Sequence, residues 1–276
     1  LKISDIISSS RDINMSDRLC ILSFALSMKK EEILSTTDKV LSHEEVAIIS
    51  RLIDKRRQGM PIAYITKNKE FYSEEFYIDD AVLIPRPETE ILVEEAINIL
   101  KDMGQTAKVI DVGTGSGAIG VIISQKTGNR VICVDISFEA LKVALINRET
   151  MGLWEKVEFV CSDLLNGIKG TRDYDMIVAN LPYISGEEWE DLMVDVKAFE
   201  PKLALYGGKD GTEIYKRLIS ILPQHLKTGG VFLCEVGGRD QAETIKDMLT
   251  AVGFKTYIKK DYRDIERVVV ARWTSL

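Results

Sequence analysis

At 276 residues, with 45% hydrophobic and 29% charged side chains, the chain has the balance of a water-soluble globular protein and the length for one large or two ordinary domains. Nothing in it approaches the unbroken apolar stretch of about 20 residues that a membrane-spanning helix needs, and an acid, Asp5, stands where an export signal would carry a basic segment. The net charge of −7 divides unevenly: residues 1–68 hold 11 Lys and Arg against 9 Asp and Glu, the remainder 25 against 34, so the second part argues against broad phosphate binding and suits a cationic ligand.

Up to about Asn68 the pattern is helical. Ser16 before Asp17-Arg18-Leu19 predicts one helix start, with Leu19, Leu22, Phe24 and Leu26 following. Ser42-His-Glu-Glu45 predicts another as a capping box, in which hydroxyl and carboxylate each satisfy an exposed N–H. Val46, Ile49, Leu52 and Ile53 then share a face, and Gly59 with Pro61 ends the helix. Lys55-Arg56-Arg57 at that end reads as a solvated partner of the helix dipole. Residues 1–68 are therefore expected to form a small helical domain. From Glu70 to Ile84 aromatic and β-branched residues predict a hairpin with its turn at Asp79-Asp80, so that 69–87 serves as a linker.

Beyond residue 88 strand-like runs and helical stretches alternate. The runs are Lys108–Val112, Arg130–Asp135, Val157–Cys161, Tyr174–Ala179, Val231–Val236, Phe254–Ile258 and Arg267–Ala271, with helices near 89–101, 117–126, 137–149, 212–226 and 240–251. This predicts an α/β fold: a seven-stranded, mostly parallel Rossmann-like sheet over 88–276, flanked by helices. Lys259–Glu266 is too short for a crossover helix, so the last strand should run antiparallel. Cys133, Cys161 and Cys234 lie in strand-like runs and read as core residues of a reducing, cytoplasmic compartment. With no C-x-x-C spacing, and with His43 and His225 each far from a partner ligand, metal and Ser-His chemistry are not expected.

Two motifs stand at strand ends. Asp111-Val-Gly113-Thr114-Gly115-Ser-Gly117-Ala-Ile-Gly120 satisfies G-x-G-x-x-G, which serves nucleotide or adenosyl cofactors, although such glycines also let a helix pack close to a strand. Asp111, two residues before the first glycine, can face the ammonium end of S-adenosylmethionine. There is no Gly-Lys-Ser/Thr for a triphosphate. Asp135, followed by Ile136, ends the next strand where a carboxylate can accept two ribose hydroxyls, in NAD enzymes as well. Asp163, followed by Leu164, can meet the adenine amine or simply serve a turn.

The second motif, Asn180-Leu181-Pro182-Tyr183, follows the apolar run Asp175–Ala179. An Asn side-chain carbonyl and the next residue's backbone carbonyl can together accept both N–H bonds of a planar NH₂ group. Pro182 biases Leu181 towards an extended conformation, and Tyr183 can wall a flat amide or base. Taken alone, Asn and Pro also mark an ordinary turn. The long segment Ile184–Gly211, with Trp189, Met193 and Phe199, is either a lid or helix packed on the sheet.

These segments resemble the HemK/PrmC-type methyltransferases, which modify the glutamine amide of peptide chain release factors. The resemblance runs nearly end to end, through Arg57-Gln-Gly59-Met-Pro61-Ile-Ala-Tyr64-Ile, Glu70-Phe71-Tyr72, Leu83-Ile-Pro85-Arg86-Pro87-Glu88-Thr89-Glu90, the glycine loop, Glu200-Pro201 with Ala204-Leu205, Gly207-Gly208-x-Asp210-Gly211 and Glu235-Val-Gly237. Ile84–Glu90 is the most family-specific run. The resemblance implies S-adenosylmethionine as methyl donor, a release factor carrying Gly-Gly-Gln as protein substrate, and neither nucleic acid nor membrane as partner. It also implies Asn180, Leu181, Pro182 and Tyr183 at the reaction centre, and Pro85, Arg86 and Glu88 either at the entrance or in a rigid joint. The family's usual motif is Asn-Pro-Pro-Tyr. Because every residue supplies a carbonyl, Leu181→Pro is expected to change little. Asn-Leu-Pro-Tyr also resembles the motif of ribosomal RNA adenine dimethyltransferases, an alternative substrate class, but those enzymes lack the Ile84–Glu90 segment.

Overall fold

In the computed structural model, which describes residues 1–274, contacts divide the chain into two units: Leu1–Asn68 with Val194–Phe199, and Lys69–Met193 with everything from Glu200 onward. The first unit holds helices α1 (Ile3–Ser9), α2 (Met15–Leu26), α3 (Lys30–Ser35), α4 (His43–Arg57) and α5 (Ile62–Thr66). The α4 capping box forms as expected. Ser42 Oγ accepts from the Glu45 N–H at 3.1 Å and Glu45 Oε2 accepts from the Ser42 N–H at 2.7 Å. Ile49, Leu52 and Ile53 bury with Ile3, Ile21, Leu22 and Ile33.

Two readings of this unit are corrected. Asn14, not Ser16, caps α2: its Oδ1 accepts from the Asp17 N–H at 2.8 Å while its Nδ2 donates to Asp17 Oδ2 at 2.9 Å, a reciprocal pair that Ser16 does not form. The basic run is not simply solvated either. Arg56 Nε lies 2.6 Å from Asp17 Oδ2 and Arg57 Nε 2.7 Å from Asp12 Oδ2, so the end of α4 is tied to the chain around α2.

Strands β1 (Asn68–Phe71) and β2 (Glu74–Tyr77) form a two-stranded sheet. Its turn is Tyr72-Ser73, not Asp79-Asp80: both residues take positive φ, 54° and 62°, the I′ geometry that matches strand twist. Neither is Gly or Asn, so no turn signal was visible. Glu90 Oε1 accepts from the Tyr72 N–H at 2.9 Å, and Asn147 exchanges two hydrogen bonds with Tyr77, at 2.7 and 3.0 Å. Asp79 bends the chain after the hairpin by accepting from the Ala81 N–H at 3.0 Å.

The predicted runs become strands β3 (Lys108–Val112), β4 (Arg130–Asp135), β5 (Val157–Cys161), β6 (Tyr174–Ala179), β7 (Leu226–Glu235), β8 (Phe254–Lys260) and β9 (Glu266–Trp273). Their order is β5-β4-β3-β6-β7-β9-β8. The first five are parallel, and β9 lies antiparallel to both β7 and β8. Helices α6 (Thr89–Met103), α7 (Ala118–Thr127), α8 (Phe138–Thr150), α9 (Gly186–Asp191), α10 (Val194–Phe199), α11 (Glu213–Ile221) and α12 (Arg239–Val252) complete the fold. The segment after the Asn180 motif is thus partly helix, and α10 clusters with the first unit. Ile110, Val112, Ile177 and Phe232 on one sheet face bury with Leu218, Ile245 and Leu249 of α11 and α12. On the other face α7 comes close because Gly120 has no side chain: a Cβ there would lie 2.4 Å from Cys133 Sγ. Cys133 and Cys234 are core residues as expected, whereas Cys161 is exposed, since β5 is an edge strand. Among the described residues no helix is long and apolar enough to cross a membrane.

The strand order reverses between β3 and β6, and a parallel sheet opens a crevice at the carboxyl ends of such a pair.

Candidate active site

The glycine loop leaves β3 and enters α7 along a path that needs positive φ at Gly113 (74°), Gly115 (54°) and Gly117 (83°). Gly113 and Thr114 donate backbone N–H bonds to the Val134 carbonyl at 2.8 and 3.0 Å, fixing the loop against β4. A Cβ at Gly113 would come within 2.8 Å of Leu181 Cδ2, and one at Gly117 within 3.1 Å of the Ala144 methyl. Nothing lies within 4 Å of a Cβ placed at Gly115, so this glycine presents bare backbone to open space.

That space is a cavity of about 250 Å³ at the ends of β3, β4 and β6, entirely within the second unit. Gly113, Thr114 and Gly115 form one wall. Asp135 stands on the next strand end, where its Oδ2 accepts from the Gly115 N–H and its Oδ1 from the Ser137 N–H, both at 2.8 Å. Burial pushes its carboxyl above the ordinary value, and these backbone donors pull it back. Each oxygen keeps a free lone pair for a ligand hydroxyl. Ile136, 53% exposed, and Leu164, at a φ of 50°, add apolar surface. Asp163 is on the wall too, ion-paired with Arg217, a residue that sequence reasoning missed. Pro85 and Arg86 line the same cavity; Arg86 Nη2 lies 2.5 Å from the buried Glu200 Oε1, and Glu200 Oε2 accepts from the Ile84 N–H at 3.2 Å. The Pro85-Arg86 segment is therefore part of the wall, tied down within the second unit by Glu200.

Four expected site residues are not on this wall. Gly117 is spent on packing against α8. Glu88 pairs with Arg263 instead. Asp111 is fully buried beneath the loop, its Oδ2 accepting from Thr114 Oγ1 at 2.6 Å and from the Gly120 N–H at 3.0 Å. Its Oδ1 has no partner among the described residues, and burial pushes the carboxyl up to about 7. Tyr183 turns away: its ring packs on Gly237, 3.3 Å from where a Cβ would sit, and its hydroxyl donates to Glu235 Oε1 at 3.4 Å. The turn is imposed by the following chain. Gln241 Nε2 donates to the Tyr183 carbonyl at 3.1 Å, Ile184 pairs with Tyr206, and Gly207 and Gly211 allow backbone to lie against residues 182 and 183.

Asn180, Leu181 and Pro182 do face the cavity. Asn180 Nδ2 donates to Thr89 Oγ1 at 3.2 Å, which leaves Oδ1 without a donor among the described residues. Leu181 is held through its N–H, which donates to the Tyr215 hydroxyl at 3.1 Å, and the same hydroxyl donates to the Glu235 carbonyl at 2.6 Å. The Leu181 carbonyl takes no hydrogen bond among the described residues. The expectation that proline at 181 would change little is therefore corrected, because the N–H that proline lacks is in use. Thr89, Tyr215 and Glu235 are supports that carry no motif signal in that role. Chemically, the arrangement offers two unoccupied oxygen acceptors beside a glycine cradle and a ribose-type carboxylate.

The family model described as the methyltransferase small domain matches residues 88–198, and that described as the PrmC N-terminal domain matches residues 12–66. Over 262 residues the chain is 39% identical to a release factor glutamine methyltransferase of Clostridium acetobutylicum, covering 93% of this chain and 90% of that protein. A protein of the same name from Koribacter versatilis is 40% identical over 253 residues, 91% and 89% of the two chains. A solved methyltransferase from Pyrococcus furiosus shares the fold, with a TM-score of 0.58 at 17% identity over 80% of this chain and 100% of that one.

Proposed function

The chain belongs to the release factor glutamine methyltransferase family, and on that footing we propose that it holds the glutamine amide of a release factor's Gly-Gly-Gln motif between Asn180 Oδ1 and the Leu181 carbonyl, beside S-adenosylmethionine. The enzyme is a protein-glutamine N-methyltransferase. When bound, S-adenosylmethionine supplies an electrophilic methyl on a sulfonium.

The residues present fit that group. Asp135 has lone pairs for the ribose hydroxyls, Ile136 and Leu164 give apolar flanks for a flat base, and Asp163 can trade Arg217 for an exocyclic amine. Gly115, with Gly113 and Thr114 beside it on the wall, leaves bare backbone open to the methionine end. Asp111, buried with an unmet oxygen under the loop, lacks a counter-charge that a cation above it would provide.

The protein's part in the reaction is to bind and aim. An amide nitrogen is a poor nucleophile because its lone pair is conjugated. Two acceptors gripping its N–H bonds fix the NH₂ and turn the lone pair out of conjugation as attack begins. The nitrogen becomes acidic only after methylation and releases a proton to water, so no side-chain base is required. Proximity does much of the work, since oriented reactants gain effective molarities on the order of 10⁵ M or more.

The observation that carries this reading is the pair of donorless oxygens on Asn180 and Leu181. A labelled-methyl assay offering release factor and ribosomal RNA side by side tests it. Label on the factor is the expected result; label on the RNA alone would replace it with the adenine-amine alternative.

A further inference from the structure

Two unmet needs lie near Asn180, one of them on Thr89, which is itself on the cavity wall. Thr89, 4% exposed at the first position of α6, uses its hydroxyl oxygen to accept from Asn180 Nδ2, and its own proton has no acceptor at hydrogen-bonding length among the described residues. Glu235, 1% exposed at the end of β7, has an Oε2 with no donor at that length. The neighbouring hydroxyls that stabilise its charge are those of Thr89 and Tyr183. An orphaned buried carboxylate oxygen beside an unused hydroxyl proton calls for a reason.

We propose that Thr89 and Glu235 are positioning residues that set which way the Asn180 carboxamide faces. The proposal rests on the functional reading above. A threonine hydroxyl has one proton to give. When ionised, Glu235 can only accept, so a Thr89 proton turned towards it leaves Thr89 able only to accept from Asn180. That forces Nδ2 inward and Oδ1 into the cavity. With the proton turned the other way, Asn180 would present its NH₂ to the substrate's NH₂, donor against donor, and the grip would fail.

Glu235 serves the second acceptor as well, through its main chain. Its carbonyl takes the Tyr215 proton at 2.6 Å, which obliges the Tyr215 oxygen to accept from the Leu181 N–H at 3.1 Å. One residue on β7 thereby directs both halves of the grip. The groups facing its carboxyl are Thr89 and Glu88 at the start of α6, Tyr183 after β6, and Arg267 on β9.

The test uses the full chain and a release factor. Thr89→Val keeps the shape and removes the hydroxyl; it should lower kcat about 10- to 100-fold, the loss of one well-placed hydrogen bond, while S-adenosylhomocysteine affinity stays within about twofold of the parent. Thr89→Ser should restore most of the rate. Glu235→Gln, which offers Thr89 a donor as readily as an acceptor, should lower kcat in the same sense. In an Asn180→Ala background Thr89→Val should cost nothing further, because there is no carboxamide left to orient. Parental kcat in Thr89→Val, or a loss that multiplies in full onto that of Asn180→Ala, overturns the proposal while the functional reading stands. A parent that transfers no methyl to the factor overturns both.

Discussion

Asp135 is held by two backbone N–H groups and keeps lone pairs turned to the cavity, so its contribution to ligand binding is separable from its contribution to the loop. For Asp135→Ala we expect cofactor affinity to fall about 10- to 150-fold, from the 1.5–3 kcal/mol typical of hydrogen bonds to a charged group. Calorimetric titration with S-adenosylhomocysteine reads this, and unchanged affinity would remove Asp135 from the site. Glu235 bears on stability. Burial pushes its carboxyl from an ordinary 4.5 up to about 7, Glu88 adds to the shift, and Thr89, Tyr183 and Arg267 oppose it. The folded state thus holds the proton more tightly than the unfolded chain. The resulting stabilisation is complete below the unfolded value of 4.5 and is lost as pH rises through about 7. Between about pH 5.5 and about pH 8 the parent should lose on the order of 2 kcal/mol that Glu235→Gln does not lose. Urea titrations at both pH values make the comparison, and identical pH dependence would place the carboxyl's titration elsewhere.

At the scale of elements, the turn after β6 is more constrained than its sequence suggests. Leu181 supplies a carbonyl, as any residue would, but its N–H is bonded to Tyr215 and its side chain, 4% exposed, packs where Gly113 leaves room. Leu181→Pro should therefore destabilise the protein by about 0.5–1.5 kcal/mol, the worth of one intramolecular hydrogen bond. A thermal melt matching the parent's would show that the Tyr215 contact carries nothing. The strands were legible because β-branched and apolar runs bounded by glycine, charge and loop residues leave little choice of period, and β3, β4, β5 and β6 begin and end where the runs do. The glycine loop was legible as a loop, although not which glycine faces a ligand and which packs a helix: Gly115 does the first, Gly117 and Gly120 the second. The Tyr72-Ser73 turn left no trace, since neither residue is the Gly or Asn that a positive φ favours and tertiary bonds to Glu90 and Asn147 hold the hairpin. Thr89, Tyr215 and Glu235 were also silent as supports, because folding brings them to Asn180 and Leu181 from distant parts of the chain.

For the molecule as a whole, the charge division matches a division of labour. Residues 1–68 carry a net +2 and their own caps and core, while all the cavity residues lie in the second, acidic unit. If the first unit docks a folded protein, removing 1–68 should leave S-adenosylhomocysteine affinity intact. It should also lower kcat/KM on a whole release factor far more than on a short Gly-Gly-Gln peptide, because remote contacts contribute to transition-state positioning. The deletion strips α10 of the unit it clusters with, so folding of the remainder is checked first by its melt. Equal losses on protein and peptide would mean that the helical unit supports the active site rather than the substrate.

The central claim is that Asn180 grips a glutamine amide and not the cofactor, and peptide mapping of release factor after single-turnover methylation tests it most directly. The parent should place one methyl on the glutamine of Gly-Gly-Gln. Asn180→Ala should do so about 100- to 1,000-fold more slowly, by analogy with removing one oxyanion-hole contact from a dry site, with its S-adenosylhomocysteine affinity unchanged. A methyl found on another residue, or an Asn180→Ala enzyme that transfers at the parental rate, would contradict the account.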